Sequence, residues 1–298
     1  RGSKSSRSSK SSRSSKSSRS SKSSKKTRKI PTTRLCDTCF NIKIVDGNLV
    51  SKSNESWKDF PYHLPVLGRK SGSQAVYVNL GKKHGNALLY YFAAGSHNSV
   101  LHGKYPKSYK NTTNTGLVKL DKYGRAQVKL DCPMSYKDTN FTKTGKQTYL
   151  SHLHMLVSNK DMTQWLDKLI TQNVLCHVTK EQLQNSIKNN NRLIINALNP
   201  EYFNKNAIPT SVNLPVKKAK HMSVNQIRDK VLNMVKNNHE LKGFIGKHNL
   251  KLTEIPITVY CYSRTCDASH NLALNLFRAG FTNVTEYKDG IMGWMGRG

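Results

Sequence analysis

Cys261 is the residue of this sequence best placed for nucleophilic chemistry. It directly follows the apolar run 257–260 (ITVY), which is typical of a buried strand, and a loop and a helix come after it. In α/β sheets, sites form beyond the carboxyl ends of strands. There we expect loop N–H groups and a helix N-terminus to lower the pKa of the thiol and to bind anions. Sulfur transfer, phosphate-ester hydrolysis and redox exchange all suit such a thiolate.

The spacing after Cys261 narrows these choices. Phosphatases of related architecture need Cys-x5-Arg, because the arginine forks onto phosphate, and here the corresponding residue is Asp267, an anion. Cys266 gives Cys-x4-Cys instead. It is interpreted either as a small apolar residue of the loop or as a thiol that resolves an oxidised or persulfide form of Cys261 into a disulfide.

The elements that must position this cysteine alternate between strand and helix. That alternation predicts a parallel sheet with helices on both faces. The predicted strands are 192–198, 255–261 and a short stretch around Val284. The predicted helices follow the caps Thr179 (with Gln182 as capping-box partner) and Ser223, and start again from Ala268. Gly280 is a natural residue for the end of the last of these helices.

The segment VYCYSRTCDASHNLALNLFRAGFTNVTEYKDGIMGW resembles the second half of a rhodanese-type sulfurtransferase domain. In that family a strand ends in the catalytic cysteine, a loop cradles it, and the motifs G[FY]xNV and GGIxxW follow. Those motif positions are Gly280, Phe281, Asn283, Val284, Gly290, Ile291 and Trp294. The segment RLIINALNPEYFNKNAIPTSVNLP is similar to the family's first half, with Pro209, Asn213 and Pro215 in register. The resemblance covers 178–294.

Some positions depart from the family pattern. Asn196 and Leu198 stand where the family has Asp and Arg, and Asp289 replaces the first glycine of a pair. Asn206 and Ala207 replace the Gly-His that precedes Ile-Pro. These positions brace the fold near the site, whereas the nucleophile itself is present.

The resemblance implies a sulfurtransferase that needs no cofactor. Cys261 would carry a persulfide taken from an anionic donor such as thiosulfate and pass the sulfur to a thiol or cyanide-like acceptor. The loop that binds substrate or anion would be Tyr262, Ser263, Arg264, Thr265 and Cys266. Arg264 is expected either to hold the donor or to be a solvated loop residue.

Residues 31–177 are predicted to be mostly strand, in an antiparallel sandwich-like domain of unknown role. Strands are expected from Ala75, Ala87 and Thr148, and at 117–120 and 125–130 around the turn 121–124. The run 90–92 (YYF) is interpreted as core rather than as a base-stacking platform. Residues 165–170 show helical spacing.

A metal site is predicted only weakly. Cys36 and Cys39 form a lone C-x2-C, and His152 and His154 share one face of a strand by the period of two. Cys176 with His177 is an alternative source of ligands. The competing interpretation places the two strand histidines on the polar side of a half-buried strand.

The chain carries 49 Lys and Arg against 17 acidic residues. Residues 1–29 hold 12 of the basic residues and no acid. Within them, residues 1–24 repeat a triplet of one basic residue and usually two serines, which predicts a disordered tail. Such a tail either binds a polyanion such as nucleic acid or is a kinase substrate. No apolar run is long enough for a transmembrane helix, and no secretory signal is expected.

The sequence therefore predicts a multidomain chain. Its parts are a basic tail (1–30), the β-rich domain (31–177) and an α/β rhodanese-like domain with a parallel sheet (178–298). The alternative to a sulfurtransferase is a non-catalytic binding or structural protein that uses a degenerate rhodanese fold and a basic tail. The six cysteines are too sparse for a disulfide scaffold, so a reducing, intracellular compartment is expected. The Asn- and Lys-rich composition resembles that of proteins of large DNA viruses, so a virion is a second expected location.

Overall fold

The structure is a computed structural model. It describes residues 42–45, 48–51, 72–95, 100–104, 107–109, 114–138, 147–163, 165–166 and 170–297. The predicted tail, and Cys36 and Cys39, lie outside the described residues. Residues 31–298 form one compact unit. Among the described residues, no helix is long and apolar enough to cross a membrane.

The first part of the described chain is built from strands. They are β1 (Ile42–Val45), β2 (Asn48–Ser51), β3 (Gln74–Asn79), β4 (Leu88–Ala93), β5 (Gly103–Lys104), β6 (Thr115–Lys119), β7 (Arg125–Leu130), β8 (Tyr136–Asp138), β9 (Gln147–Tyr149), β10 (His152–Val157) and β11 (Ile170–Asn173). The largest sheet has the order β11-β10-β4-β6 and is antiparallel throughout. Strands β3 and β7 form a second antiparallel sheet, and β5, β8 and β9 a third in which β5 and β8 run parallel. The predicted β-rich, antiparallel class is confirmed.

One apolar core joins the first two sheets. Val78 of β3 and Val128 of β7 pack with Leu89 of β4 and Met155 of β10, and all four are buried. In β3 the buried residues alternate with exposed ones, as expected for a strand with one face on a core. The run 90–92 is also buried, which confirms its interpretation as core.

The turn at 121–124 connects two sheets rather than two paired strands. The carboxylate of Asp121 accepts hydrogen bonds from the backbone N–H groups of Tyr123 and Arg125, which closes the turn. Both flanking strands are present, but β6 pairs with β4 and β7 pairs with β3. The local pattern predicts strands, whereas their partners are set by which face each must bury.

Two further expectations for this part were wrong. The stretch from Thr148 is two strands, because β9 ends at Tyr149 and β10 starts at His152 in another sheet. Ile170 begins strand β11 rather than belonging to a helix, and β11 pairs with β10 from Met155 to His152. Here the hydrogen bonds offered by the edge of β10 override a helical pattern of apolar residues.

The second part alternates helix and strand. Its elements are α1 (Lys180–Lys188), β12 (Leu193–Asn196), α2 (Pro200–Lys205), β13 (Val212–Asn213), α3 (Val216–Ala219), α4 (Val224–Lys236), α5 (His239–Lys247), β14 (Ile257–Tyr260), α6 (Ala268–Arg278), β15 (Val284–Tyr287) and α7 (Gly290–Trp294). All strand pairs in the sheet β13-β12-β14-β15 are parallel. The predicted α/β class with a parallel sheet is confirmed.

Helices cover both faces of this sheet. Ile195 of β12 and Val259 of β14 point to the face that packs against α4 and α6, in a core that includes Val231 and Leu272. Ile194, Tyr260 and Tyr287 point to the other face, where Leu183 of α1 and Ile291 of α7 cover them. The strands are therefore buried on both sides, which explains their continuous apolar sequence.

The predicted helix boundaries are present. Thr179 and Gln182 form the capping box of α1, and Ser223 and Gln226 form that of α4. Gly280 follows α6 with φ of 88°, in the left-handed region that favours glycine.

The two parts meet along the segment 176–178. This segment lies beside β15 in parallel: the N–H of Glu286 donates to the carbonyl of Cys176, and the N–H of Val178 donates to that of Glu286. The side chain of Gln74, from β3, bonds both backbone groups of His177. The segment that connects the parts therefore extends the parallel sheet.

Cys176 is also joined to Cys132 by a disulfide. This corrects the expectation that Cys176 is a thiol for a metal, since a disulfide sulfur supplies no thiolate ligand. Disulfides are typical of oxidising compartments. The reducing compartment therefore stays an untested expectation.

Candidate active site

Cys261 lies at the carboxyl end of β14, one of the two central strands of the parallel sheet, as the sequence predicted. Its side chain is almost fully buried, with 1% of its surface exposed. The loop 262–267 then leads into α6. Strand β14 carries the thiol at its carboxyl end, and the loop and α6 cover it.

The sulfur of Cys261 is surrounded by hydrogen-bond acceptors. It lies 3.3 Å from the carbonyl oxygen of Cys266 and 3.0 Å from Oγ of Ser269, in the first turn of α6. The hydroxyl of Ser269 donates to Oε1 of Glu286 at 2.7 Å. Since that hydroxyl has a single hydrogen, its oxygen is left to accept from Cys261. These contacts favour the protonated thiol.

Glu286 continues this chain of contacts towards solvent. Its side chain is fully buried on β15, and its Oε2 lies 3.3 Å from Nε2 of His177, whose side chain is 46% exposed. Lys288 Nζ lies 3.6 Å from Oε1. Burial alone would raise the pKa of Glu286, but hydrogen bonds from His177 and Ser269 and the charge of Lys288 lower it below its usual value. The buried carboxylate therefore stays charged.

Cys266, rather than Cys261, occupies the anion-stabilising position of the loop. A hydrogen bond from the Cys261 thiol lowers the pKa of Cys266, partial burial opposes this, and the N–H groups of Ala268 and Tyr262 and the charge of Lys288 lower it further. The same hydrogen bond with Cys266, together with burial, raises the pKa of Cys261. The expected lowering of the Cys261 pKa was therefore wrong. The N–H of Ser269, in the first turn of α6, does lower it, but the interaction with Cys266 and burial raise it by more.

Arg264 lies at the surface of the loop, and its role in holding a donor stays a prediction. Its guanidinium pairs with the carboxylate of Asp289, although 75% of its side chain is exposed. Asp289 is one of the departures from the family pattern. The other loop hydroxyls, Ser263 and Thr265, bond to each other at 3.2 Å at the surface.

Gly290 fixes the loop from the opposite side. Its φ is 63°, and a Cβ there would lie 2.6 Å from the carbonyl oxygens of Cys261 and Tyr262. The first N–H groups of α7 use this closeness: Ile291 donates to the Cys261 carbonyl and Met292 to that of Tyr262, both at 3.0 Å. The glycine of the predicted GGIxxW motif thus allows α7 to dock on the backbone at the site.

The departure at Asn196 is accommodated locally. Asn196 is fully buried at the end of β12, and its Oδ1 accepts the N–H of Leu198 at 2.8 Å. The side chain of Asn213, on the neighbouring strand, donates to the carbonyl of Leu198 at 2.9 Å. The turn after β12 therefore closes without a charged pair.

Sequence reasoning missed Ser269, Glu286, His177 and Lys288. Ser269 is eight residues beyond Cys261, on the first turn of a helix whose start was predicted. The spacing therefore indicates that Ser269 lies close to Cys261. Glu286 lies at an inward position of a short strand. Unpaired acids are almost never fully buried, so an acid at an inward strand position indicates a paired, functional residue. Nothing in the sequence connects His177 to the site.

The metal candidates are only partly described. His152 and His154 do share one face of β10, with their Nε2 atoms 3.0 Å apart, and the hydroxyls of Tyr109 and Tyr136 lie 3.2 and 3.3 Å from Nε2 of His152. Nδ1 of His152 lies 2.6 Å from the carbonyl of Leu150.

The alternative interpretation of a half-buried polar face was wrong, since every residue of β10 is buried. Burial lowers the pKa of His152 to about 4. In the described part of the chain, no group of three or more His, Cys, Asp or Glu residues is arranged to hold a metal.

The second part of the chain resembles a known protein family. Residues 179–297 match the family model of the rhodanese-like domain. No curated protein matches the chain.

Solved structures give weaker likenesses. The single-domain sulfurtransferase RDL2 of Saccharomyces cerevisiae is 16% identical, with 42% of this chain and 93% of that chain covered and a TM-score of 0.30. The human single-domain sulfurtransferase TSTD1 is 14% identical, with 42% and 99% covered and a TM-score of 0.29. The BH2092 protein of Bacillus halodurans is 20% identical, with 41% and 72% covered and a TM-score of 0.30. These likenesses add no argument to the family match. Residues 179–297, which carry Cys261 and its loop, are a rhodanese-like domain.

Proposed function

We propose that the rhodanese-like domain is a sulfurtransferase in which Cys261 carries sulfane sulfur as a persulfide. The observation that carries the proposal is the position of Cys261, which directly follows the central strand β14 and has its sulfur 3.3 Å from the carbonyl oxygen of a second free cysteine, Cys266. A shared proton between two thiols keeps one of them deprotonated near neutral pH, and the pair titrates as a unit. The site therefore holds a thiolate without any cofactor.

Proton transfer within the pair prepares the nucleophile. The proton of Cys261 passes to Cys266, which leaves the negative charge on Cys261. Without Cys266, the interaction that most raises the pKa of Cys261 is absent, so Cys261 can lose its proton to solvent instead. The Cys261 thiolate attacks the outer sulfur of a thiosulfate-type donor, a new S–S bond forms, and the sulfite group leaves with the electron pair of the broken bond. An acceptor thiolate or cyanide then attacks the outer sulfur of the persulfide and releases Cys261 as a thiolate.

The loop supplies the groups that hold an anionic donor. The N–H groups of Tyr262 and Ala268 and the ammonium of Lys288 already stabilise negative charge on Cys266. When the proton moves to Cys266, these donors become available to the negative charge of the donor molecule. Arg264 would contribute once it separates from Asp289, and exposed ion pairs of this kind cost little to break.

The test is formation of thiocyanate from thiosulfate and cyanide by the full chain. We expect turnover in the native chain and none with Cys261→Ser, whose hydroxyl is a far weaker nucleophile. Glu240→Gln, on the exposed surface of α5, serves as the control and keeps its activity. Equal rates for the native chain and Cys261→Ser would overturn the proposal.

A second candidate function rests on the burial of Cys261. A nucleophile with 1% exposure and a raised pKa also fits a domain that binds a partner without turnover. The basic stretch 1–29 would then hold nucleic acid or another polyanion. Absence of thiocyanate formation with several anionic donors, together with salt-dependent binding of DNA, would favour this function over sulfur transfer.

A further inference from the structure

The two free cysteines among the described residues lie in one loop and contact each other. Cys261 follows β14 directly, and Cys266 follows five residues later, half-buried just before α6. The N–H of Cys266 donates to the carbonyl of Ser263 at 3.0 Å, so the loop folds back on itself. This turn places the carbonyl oxygen of Cys266 3.3 Å from the Cys261 sulfur. The two side chains are close enough for each to shift the pKa of the other.

The pair is polarised in one direction. The hydroxyl of Ser269 donates its hydrogen to Glu286, so its oxygen lone pairs face the Cys261 sulfur and disfavour negative charge there. Cys266 receives the donors: the thiol of Cys261 and the N–H groups of Tyr262 and Ala268. Cys266 is therefore the resting thiolate, and it lies against the sulfur that would become the inner atom of a persulfide.

We propose that Cys266 attacks the Cys261 persulfide and releases its outer sulfur as hydrosulfide, so that the domain is also a dithiol sulfide-releasing catalyst. This inference rests on the proposed persulfide chemistry and adds to it an acceptor within the chain. It assigns the two cysteines the roles of carrier and resolving thiol.

The step balances without another reactant. The Cys266 thiolate attacks Sγ of Cys261, the bond between Sγ and the outer sulfur breaks, and that sulfur leaves with the electron pair as hydrosulfide. The sulfane sulfur is reduced, the two cysteine sulfurs are oxidised, and a Cys261–Cys266 disulfide remains. An external thiol or dithiol reductant must then reduce this disulfide before the next cycle.

Attack on the inner sulfur is favoured by position. The Cys261 sulfur already lies against Cys266, whereas the outer sulfur of a persulfide would point away towards the incoming donor. Formation of the persulfide also removes the thiol proton that Cys261 shares with Cys266. The proton that Cys266 took from Cys261 passes to the outer sulfur of the persulfide. Cys266 is then again a thiolate, stabilised by the loop N–H groups and Lys288.

The experiment measures sulfide and cysteine state in a single turnover. The full chain is reduced, freed of reductant and mixed with one equivalent of thiosulfate; released sulfide is measured, and the peptides of Cys261 and Cys266 are analysed by mass spectrometry. We expect a burst of one sulfide per chain, with a Cys261–Cys266 disulfide in the same proportion. Because Cys132 and Cys176 form a separate disulfide, the bond must be assigned by peptide.

Cys266→Ser separates this inference from the proposed function. In that variant we expect the persulfide to accumulate on Cys261, with no sulfide burst and no new disulfide. A persulfide in Cys266→Ser without sulfide release by the native chain would overturn the inference and leave the sulfurtransferase proposal standing. No persulfide in either protein would overturn both. Sulfur found on Cys266 of the native chain would contradict attack on the inner sulfur.

Discussion

We propose that Cys261 and Cys266 act together in nucleophilic attack, with Cys261 as the attacking atom and Cys266 as its proton acceptor. Cys261 holds the strand-end position that the family resemblance assigns to the nucleophile. The carbonyl of Cys266 faces its sulfur, and the interaction with Cys266 and burial outweigh the hydrogen bond from the N–H of Ser269, so the pKa of Cys261 is raised. Cys266 holds the charge. As pH falls through the lowered pKa of Cys266, the pair gains its second proton, so reactivity should persist below the usual range of a cysteine thiol and then be lost.

Ser269 links the carboxylate of Glu286 to Cys261, and we expect that charge to disfavour a thiolate on Cys261. In Glu286→Gln the buried negative charge near Ser269 is removed, so the pKa of Cys261 should fall and its alkylation by iodoacetamide should become up to about tenfold faster. The measurement is the rate of modification of the Cys261 peptide in a persulfide-free protein. Glu240→Gln, on the exposed surface of α5, is the control. Slower alkylation in Glu286→Gln would indicate instead that the carboxylate accepts the thiol proton.

At the scale of elements, the loop and α7 are joined through the pair of Arg264 and Asp289. Asp289→Asn removes the carboxylate and frees the guanidinium for an anionic donor. We expect the KM for thiosulfate to fall by about threefold with kcat unchanged, in keeping with the small energies of exposed pairs. The double variant Asp289→Asn with Arg264→Gln should lose this gain. A KM that stays low in the double variant would show that Arg264 is not the group involved.

Much of this element architecture could be predicted from the sequence. The caps at Thr179 and Ser223, the strand before Cys261 and the glycine after α6 follow from local rules, and the structure has all of them. The direction of the loop N–H groups could not be predicted, because it depends on α7 docking through Gly290 onto the backbone of Cys261. That contact joins residues far apart in sequence, as does the contact between Glu286 and His177.

At the scale of the whole molecule, the β-rich part carries buried histidines that make its stability depend on pH. Burial lowers the pKa of His152 to about 4, whereas the unfolded value is 6.5. The unfolded state therefore binds the proton first as pH falls, and the stability present above pH 6.5 is lost towards the folded pKa.

This linkage can be measured by urea unfolding followed by circular dichroism. We expect His152 alone to account for about 2 kcal/mol less stability at about pH 5 than at about pH 7. His152→Gln should reduce this pH dependence, whereas the exposed His221→Gln should not. An unchanged dependence in His152→Gln would show that the imidazole is protonated in the folded state.

The basic stretch 1–29 is proposed to add a polyanion-binding function to the chain. Binding through lysine and arginine releases counterions, so the affinity for DNA should fall steeply with salt. Deletion of 1–29 removes 12 basic residues, and the slope of log K against log salt should become shallower by several units. An equal slope before and after deletion would exclude this stretch as the binding site.

The most direct test of the account is the mass of the peptide containing Cys261 after the full chain meets thiosulfate. The measurement is best made in Cys266→Ser, where the resolving thiol is absent and a persulfide on Cys261 should persist. We expect one added sulfur on Cys261, which cyanide removes as thiocyanate. A Cys261 peptide of unchanged mass, in a protein whose circular dichroism matches that of the native chain, would contradict it.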